Sequence, residues 1–198
     1  ARGIGLDNRI GTKFLHAGPG YGGSCFPKDT RALVKIAEDY DAQLRIVESV
    51  VTVNDNRKRA MARKVAHALG GNLRNKTIAV LGLAFKPDTD DMREAPSIPL
   101  ITGLCDMGAK VRAFDPASMK EARRELPDIE YCENAYACAE GADALVIVTE
   151  WVQFRALDLQ RLKRIMKQPV MVDLRNVYRP DEMAELGFLY SSIGREKA

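Results

Sequence analysis

The sequence predicts an α/β fold in which a glycine-rich loop and helices precede a Rossmann-like, doubly wound parallel sheet. Residues 1–29 are irregular and rich in glycine, whereas residues 30–69 carry apolar side chains at helical spacing. From residue 76 onward, short continuous apolar runs alternate with helical patterns. This alternation indicates parallel strands covered by helices on both faces, and right-handed crossovers make such a sheet doubly wound.

Two helices are expected before the sheet. Asp29 or Thr30 can cap the first helix, which continues to Tyr40, because their side-chain oxygens can accept from free N–H groups at a helix start. The second helix runs from about Leu44 to Leu69 and ends at a Gly-Gly pair.

The boundary between the two predicted parts lies in residues 70–75. The first part is residues 1–72, and the Rossmann-like domain is residues 73–198. The predicted strands of that domain are residues 77–83, 111–114, 144–149, 170–174 and 188–193. Its predicted helices are residues 98–107, 118–126, 157–167 and 180–186. Because such sheets bind ligands beyond the carboxyl ends of their strands, residues that directly follow a strand are candidate binding residues.

The composition argues against several classes of partner. The net charge of the 198 residues is +3, and no run of lysine and arginine is long enough to follow a phosphate backbone, so no nucleic-acid partner is expected. No apolar run approaches the length of a membrane span and no signal region is present, which predicts a cytoplasmic protein. The four cysteines and two histidines lack the spacing of a metal site, so no metal is expected. Cys105 lies in an apolar helical run and is expected in the core.

The most informative segment is residues 14–29, in which four glycines lead to Cys25. Glycine lets a backbone approach a ligand closely and present its N–H groups. Lys28 and Asp29 follow the thiol within one helical turn. A thiol near a helix N-terminus and a cation ionises readily and becomes a nucleophile, and a nearby carboxylate can activate water. The segment therefore predicts a catalytic site with Cys25 as its nucleophile.

Several segments carry motifs in a characteristic order. Residues 22–29 read Gly-Gly-Ser-Cys-Phe-Pro-Lys-Asp, preceded by Lys-Phe-Leu and Gly-Pro-Gly-Tyr, and residues 53–57 and 82–97 follow. These motifs resemble the UDP-glucose/GDP-mannose dehydrogenase family, and the UDP-glucose branch in particular. The resemblance implies oxidation of the C6 alcohol of UDP-glucose to a carboxylate with two NAD⁺. It also implies that Cys25 carries a thiohemiacetal and then a thioester, which water hydrolyses.

The same resemblance implies roles for individual residues. Cys25 is the implied nucleophile, Asp29 assists the water and proton-transfer steps, and Lys28 supports them. The implied substrate-binding residues are Arg9, Phe14, Leu15, Gly18, Tyr21, Gly22, Phe85, Lys86 and Arg175. Arg9 is implied to reach the substrate of a neighbouring subunit, and Arg93 is implied to contact NAD.

The first strand lacks the glycine pattern of a dinucleotide site. Gly82 is followed by Leu-Ala-Phe-Lys rather than by a Gly-x-Gly-x-x-Gly turn, so this sheet is not expected to be the main NAD site. The family has that fingerprint in an N-terminal domain, so we expect this chain to be the C-terminal part of a longer dehydrogenase and inactive alone. The long central helix of the family implies a homodimer, with residues 1–72 as the catalytic loop and dimerisation region.

Other functions stay open from the sequence. Within the family, the alternative substrates are GDP-mannose and UDP-N-acetyl-mannosamine, and the Gly-Ser-Cys-Phe-Pro-Lys-Asp motif disfavours the second. A non-catalytic module for nucleotide-sugar binding and dimerisation is an alternative from another class. A cysteine hydrolase would need a histidine near Cys25, for which His16 and His67 are the only candidates.

Overall fold

The computed structural model describes residues 1–195, so the last three residues of the predicted second part, 73–198, lie outside the described residues. The strands are β1 (Thr77–Leu81), β2 (Lys110–Phe114), β3 (Glu130–Tyr131), β4 (Ala144–Ile147), β5 (Val170–Asp173) and β6 (Leu189–Ser192). The helices are α1 (Cys25–Asp39), α2 (Arg45–Ala68), α3 (Ser97–Asp106), α4 (Met119–Glu125), α5 (Ala135–Ala139), α6 (Val152–Arg155), α7 (Leu159–Ile165) and α8 (Pro180–Glu185). The predicted α/β class with a parallel sheet is confirmed.

The strand order explains where a ligand site can form. The order is β3-β2-β1-β4-β5-β6, and every neighbouring pair is parallel. The chain enters the centre of the sheet at β1, moves outward to β3, and returns to the other side of β1 at β4. In doubly wound sheets, ligands bind in a crevice beyond the carboxyl ends of the strands at such a reversal, which here lies between β1 and β4.

Apolar side chains cover both faces of the sheet. In β1, Ile78 and Val80 belong to a core shared with α2 and α3, whereas Ala79 and Leu81 belong to a second core shared with α5 and α7. All four residues are fully buried. Strands that are buried on both faces are continuous apolar runs, which is the signal that predicts them from sequence.

Helix α2 connects the glycine-rich loop to the sheet. Met61, Ala62 and Val65, in its C-terminal half, are buried in the same core as β1. Its close approach to α3 depends on Gly103, because a Cβ there would lie 2.9 Å from the Cβ atom of Ala62. Helix α1 packs against α2, so the helix that begins at Cys25 is carried by the sheet through α2.

The first helix begins earlier than predicted. It starts at Cys25, so Asp29 and Thr30 lie inside it, and the predicted cap at these residues is wrong. The Thr30 hydroxyl instead donates to the Phe26 carbonyl of the preceding turn at 2.9 Å. Pro27 lies in the first turn, where a missing N–H breaks no helical hydrogen bond, so the helix can begin before the proline.

The position of Cys105 is a second correction. This thiol is exposed on α3, because Leu100, Ile101 and Leu104 form the buried side of that helix. Of the other cysteines, Cys25 is exposed, whereas the two near α5 are buried.

Residues 1–195 contain neither a membrane-spanning helix nor a metal-binding cluster. In that range no helix combines the length and the apolar character needed to cross a membrane. Nor does any group of three or more His, Cys, Asp or Glu side chains in the described part form a set that could hold a metal ion.

Candidate active site

The candidate site lies at the carboxyl edge of the sheet, beyond the crevice between β1 and β4. Gly82 follows β1 with a φ of +89°, and a Cβ there would lie 2.5 Å from Thr149 Cβ, so only glycine lets the two strand ends approach this closely. The Thr149 hydroxyl donates to the Ala84 carbonyl at 2.6 Å. These contacts fix the segment after β1, which carries Phe85 and Lys86, against the end of β4.

A buried carboxylate organises the loops at this edge. Asp115 follows β2 and is 1% exposed. Its Oδ2 atom accepts from the backbone N–H groups of Leu83 at 2.7 Å and Ala84 at 3.2 Å, and from the Trp151 indole at 3.2 Å. Its Oδ1 atom accepts from two backbone N–H groups of the turn that follows, at 2.9 and 2.8 Å. The loops after β1 and β4 are thereby tied to the end of β2.

Helix α2 holds the glycine-rich loop from one side. The buried Asn54 side chain accepts from the Tyr21 N–H at 2.8 Å and donates to the Tyr21 carbonyl at 3.1 Å. One helical turn later, Arg57 Nε donates to the Gly18 carbonyl at 2.8 Å. The α2 side chains therefore bind the backbone of the loop through Tyr21 and Gly18.

The segment after β1 holds the same loop from its other side. The Gly23 N–H donates to the Arg93 carbonyl at 2.8 Å. A Cβ at Gly22 would overlap the Glu94 carbonyl oxygen, and a Cβ at Gly23 would lie 2.8 Å from the Phe85 ring. Two consecutive glycines are therefore required where the loop passes between Phe85 and Glu94.

The loop ends at Cys25, whose exposed thiol stands on the first residue of α1. Its Sγ atom lies 3.6 Å from the Ser24 hydroxyl, and within residues 1–195 no histidine is hydrogen-bonded to it. The pKa of Arg93 is raised, chiefly by its hydrogen bond to Asp91 and to a smaller extent by the Cys25 thiol. A thiol at a helix start with a nearby guanidinium has the surroundings of a nucleophile.

Asp29 and Lys28 are in the first turns of the same helix. Their side chains pair with each other, with 3.3 Å between Lys28 Nζ and Asp29 Oδ1, and both are exposed. Asp29 is four residues after Cys25, so the carboxylate and the thiol share one face of α1.

Arg175, two residues after the end of β5, contacts the glycine-rich loop at Gly18. Its guanidinium pairs with Glu150, which follows β4, and a Cβ at Gly18 would overlap it. In the described part of the chain, Arg175 Nε and Glu150 Oε2 are buried atoms without a hydrogen-bond partner. Because buried polar atoms are normally satisfied, the hydrogen bonds of this ion pair are incomplete at the carboxyl edge of the sheet.

The remaining predicted residues are Phe14, Leu15, Lys86 and Arg9. Phe14 is 67% exposed and contacts the Phe26 ring edge-on at a centroid distance of 6.0 Å. Leu15 is half-buried in a short 3-10 turn. Lys86 is exposed, with its Nζ atom 5.4 Å from the centre of the neighbouring Phe85 ring. Arg9, 89% exposed, pairs with an adjacent aspartate rather than with the cluster.

The residues that hold the loops in place carry no role in the sequence-based prediction. These residues are Asn54, Arg57, Glu94, Asp115 and Glu150. Asn54, Arg57 and Glu94 lie in segments whose motifs resemble a known family, but the resemblance implied no role for these three residues. Asp115 directly follows β2, and Glu150 follows the predicted strand 144–149, which is the sequence signal for them.

Comparison with known proteins identifies the family. Residues 79–180 match the UDP binding domain of the UDP-glucose/GDP-mannose dehydrogenase family, and residues 1–56 match its central domain. The chain belongs to the UDP-glucose/GDP-mannose dehydrogenase family. The resemblance of the motifs around Cys25 and after β1 is thereby confirmed.

Individual members of the family match nearly the whole chain. The UDP-glucose 6-dehydrogenase of Rhizobium meliloti (strain 1021) is 62% identical over 195 residues, which is 98% of this chain and 45% of that protein. The UDP-glucose 6-dehydrogenase of Pseudomonas aeruginosa is 46% identical, covering 100% of this chain and 45% of that protein. The solved UDP-glucose dehydrogenase of Pyrobaculum islandicum has a TM-score of 0.81 at 36% identity, covering 96% of this chain and 41% of its own. The chain thus spans about half the length of the curated relatives it matches.

Proposed function

We propose that this chain is the C-terminal part of a UDP-glucose 6-dehydrogenase, which oxidises UDP-glucose to UDP-glucuronate. The observation that carries the proposal is the exposed Cys25 thiol at the start of α1, at the end of a glycine loop held between α2 and the segment after β1. Relatives of that name at 62% and 46% identity support the choice of UDP-glucose as substrate.

Cys25 is the proposed nucleophile towards the C6 aldehyde that the first oxidation produces. Its thiolate adds to the carbonyl carbon and the oxygen takes up a proton, which gives a thiohemiacetal. Loss of a hydride from carbon and of the hydroxyl proton gives a thioester. Water then adds to the thioester carbonyl, and the C–S bond breaks to release the carboxylate and the thiol. We assign proton transfer from that water to Asp29, with Lys28 in support, and the shared helix face of the thiol and the carboxylate favours this assignment.

The UDP-sugar is proposed to bind in the crevice beyond β1 and β4, against the glycine-rich loop. Arg175 and Lys86 are the cations that can pair with its pyrophosphate, and the contact of the Arg175 guanidinium with Gly18 of the loop supports this role. Phe85 supplies an apolar ring beside them. Gly18 and Gly22 allow close approach of the loop backbone.

Four further residues complete the proposed substrate site. Tyr21, whose backbone is fixed by α2, and Phe14 and Leu15 belong to the loop that wraps around the sugar. Arg9 is proposed to reach the substrate of a neighbouring subunit, and the 89% exposure of its side chain supports this.

The turn after β1 does not fit the pyrophosphate of NAD. The N–H groups of Leu83 and Ala84, which would face a pyrophosphate in a dinucleotide-binding sheet, already donate to Asp115. We therefore propose that NAD⁺, the acceptor of both hydrides, binds mainly outside this chain, with Arg93 as one contact. The exposed guanidinium of Arg93, near Cys25, supports this contact. On this proposal the chain alone does not reduce NAD⁺.

Residues 1–72 are proposed to form the catalytic loop and a dimerisation region, and residues 73–198 the UDP-sugar-binding domain. Large apolar side chains exposed on α1 and α2 support a homodimer, because such surface is usually covered by a partner. They are Leu33, Ile36, Tyr40, Ile46, Val50 and Val53. Sedimentation velocity of the full-length protein should show a dimer, and a monomer at every concentration would contradict the proposal.

The variant Cys25→Ser of the full-length protein tests the chemistry. Serine keeps the size of the side chain but lacks the nucleophilicity of a thiolate, so we expect formation of UDP-glucuronate to fall by about 100-fold or more. Mass spectrometry of the products with UDP-glucose and NAD⁺ measures this rate. Cys105→Ser is the matched control, since it removes an exposed thiol on α3 outside the site.

Three results would change the conclusion. Wild-type rates in Cys25→Ser would remove Cys25 from the mechanism. Binding of UDP without NAD⁺ reduction by the wild-type protein would favour a non-catalytic module. Faster oxidation of GDP-mannose than of UDP-glucose would favour that substrate.

A further inference from the structure

We propose that Glu94 is a positioning residue that holds the Cys25 loop in its reactive geometry, an inference that rests on the proposed dehydrogenase function. Glu94 has a φ of +53°, in the left-handed region that residues other than glycine rarely adopt. A backbone in this region persists only where surrounding contacts hold it, and such residues cluster at functional sites. Glu94 lies in the segment after β1, and its carbonyl and carboxylate contact the glycine-rich loop and the helices beside it.

The main chain at this position lines the last two glycines of the loop. The Glu94 carbonyl accepts from Lys58 Nζ at 3.0 Å, and the same oxygen occupies the space that a Cβ at Gly22 would need. The preceding carbonyl, of Arg93, accepts from the Gly23 N–H at 2.8 Å. The left-handed turn therefore directs two successive carbonyls into the loop just before its thiol.

The Glu94 carboxylate ties the same segment to both helices of the first part. It accepts from Arg31 on α1 at 2.7 and 3.3 Å, and from Lys58 on α2 at 3.4 Å. The hydrogen bond from Arg31 is the main reason that the pKa of Glu94 lies below its ordinary value. The Lys58 side chain is 5% exposed, and a buried ammonium group requires an anionic or carbonyl partner.

Glu94 therefore holds both of the elements that position Cys25, the glycine-rich loop and helix α1. Its carbonyl sets the path of the loop that ends at Cys25, and its carboxylate sets the position of α1, which begins there. In the described part of the chain, Glu94 accepts from Arg31 and Lys58, and neither belongs to the proposed pyrophosphate-binding pair Arg175 and Lys86. The side chain should therefore affect the rate of the chemical steps through the position of the thiol, and leave substrate affinity nearly unchanged.

Glu94→Gln in the full-length enzyme tests the proposal. We expect kcat for oxidation of UDP-glucose to fall about 10- to 100-fold, because a displacement of about 1 Å at a reacting group has effects of this size. KM for UDP-glucose should stay within about threefold, since no substrate contact is removed. Hydrogen exchange of the peptide covering residues 20–26, followed by mass spectrometry, should be faster than in the wild type.

Two companion variants separate positioning from general loss of structure. Glu94→Asp keeps the negative charge and tolerates the left-handed backbone better, so we expect it to recover most of the kcat that Glu94→Gln loses. Glu130→Gln removes a carboxylate that pairs with Arg112 at 3.0 Å on the edge strand β3, and should leave both kcat and hydrogen exchange of the loop unchanged.

The outcomes distinguish this proposal from the proposed function. An unchanged kcat in Glu94→Gln would overturn the positioning role, as would a raised KM with an unchanged kcat. If the wild-type enzyme does not oxidise UDP-glucose, the proposed function fails instead. In that case, hydrogen exchange of residues 20–26 decides the role of Glu94: faster exchange in Glu94→Gln supports it, and unchanged exchange overturns it.

Discussion

Replacement of Asp115 by asparagine tests whether one buried carboxylate holds the carboxyl edge of the sheet together. Asparagine has nearly the same shape but presents an NH₂ group in place of one oxygen. If its carbonyl keeps the two hydrogen bonds from the turn after β2, the NH₂ group faces the N–H groups of Leu83 and Ala84 and the Trp151 indole. All three are donors, so none can be satisfied by the new group.

The loss of stability expected in Asp115→Asn follows from the number of hydrogen bonds lost. One carboxylate oxygen has lone pairs for about two strong hydrogen bonds, and each hydrogen bond to a charged acceptor contributes about 1.5–3 kcal/mol, which gives about 3–6 kcal/mol. Leu83 and Ala84 are 0% and 1% exposed, so water does not replace the lost acceptor. Local relaxation recovers part of the loss. We expect the free energy of unfolding to fall by about 4 kcal/mol in Asp115→Asn, similar to the loss of one partner of a buried ion pair.

Urea denaturation followed by circular dichroism measures this difference. Circular dichroism is preferable to fluorescence because Trp151 is the single tryptophan and belongs to the network itself. Trp151→Phe is the companion variant, since it removes one 3.2 Å hydrogen bond, worth about 1 kcal/mol, together with part of a ring buried in the second core. The slope of the free energy against urea should not change. A loss below about 1 kcal/mol in Asp115→Asn would refute the structural role assigned to this carboxylate.

Two further predictions concern crowding and charge. Gly23→Ala and Gly141→Ala both place alanine at a left-handed backbone, with φ of +89° and +67°, but only Gly23 also meets the Phe85 ring at 2.8 Å. In urea denaturation, Gly23→Ala should therefore lose about 1–3 kcal/mol more than Gly141→Ala, and equal losses would contradict the crowding. Burial raises the pKa of Asp143, but hydrogen bonds from one backbone N–H and two lysine ammonium groups outweigh it, so the pKa lies below its ordinary value. The stability that the ionised carboxylate gives is present above the unfolded-state pKa of about 4 and is lost as pH falls through the folded pKa. Below about pH 4, the melting temperature of Asp143→Asn should therefore decrease less than that of the wild type. Parallel profiles of melting temperature against pH would argue against this role of Asp143.

The sheet is predictable from sequence because its physical signal is local. β1 and β4 are buried on both faces, and their apolar runs are visible within five residues. The start of α1 is predicted wrongly for an equally local reason. Asp29 and Thr30 carry side-chain oxygens that could cap a helix, whereas the helix already begins at Cys25 and has Pro27 in a first turn that needs no N–H at that position. The short elements β3, α5 and α6 span two to five residues, too few for a periodic pattern.

The candidate site is predictable only in part, because its framework depends on distant pairs. The motif around Cys25 is contiguous, so its chemistry is visible in the sequence. By contrast, Glu94 and Arg31 are separated by 63 residues, and Asp115 and Leu83 by 32. The local sequence around an acidic residue does not determine which distant donor it will contact. The roles of Glu94 and Asp115 can therefore be assigned only from the fold.

The strand order of this sheet does not by itself determine its ligand. Order β3-β2-β1-β4-β5-β6 is that of dinucleotide-binding sheets, which present the N–H groups after the first strand to a pyrophosphate. In this chain the Asp115 carboxylate takes the place of the pyrophosphate, because it accepts hydrogen bonds from both of these N–H groups. A pyrophosphate that approaches the same edge would therefore need side-chain cations on other strands, and Arg175, after β5, is the cation proposed for this role. One buried carboxylate thus removes a backbone anion site from an unchanged topology, which is why function has to be argued from the site rather than from the fold.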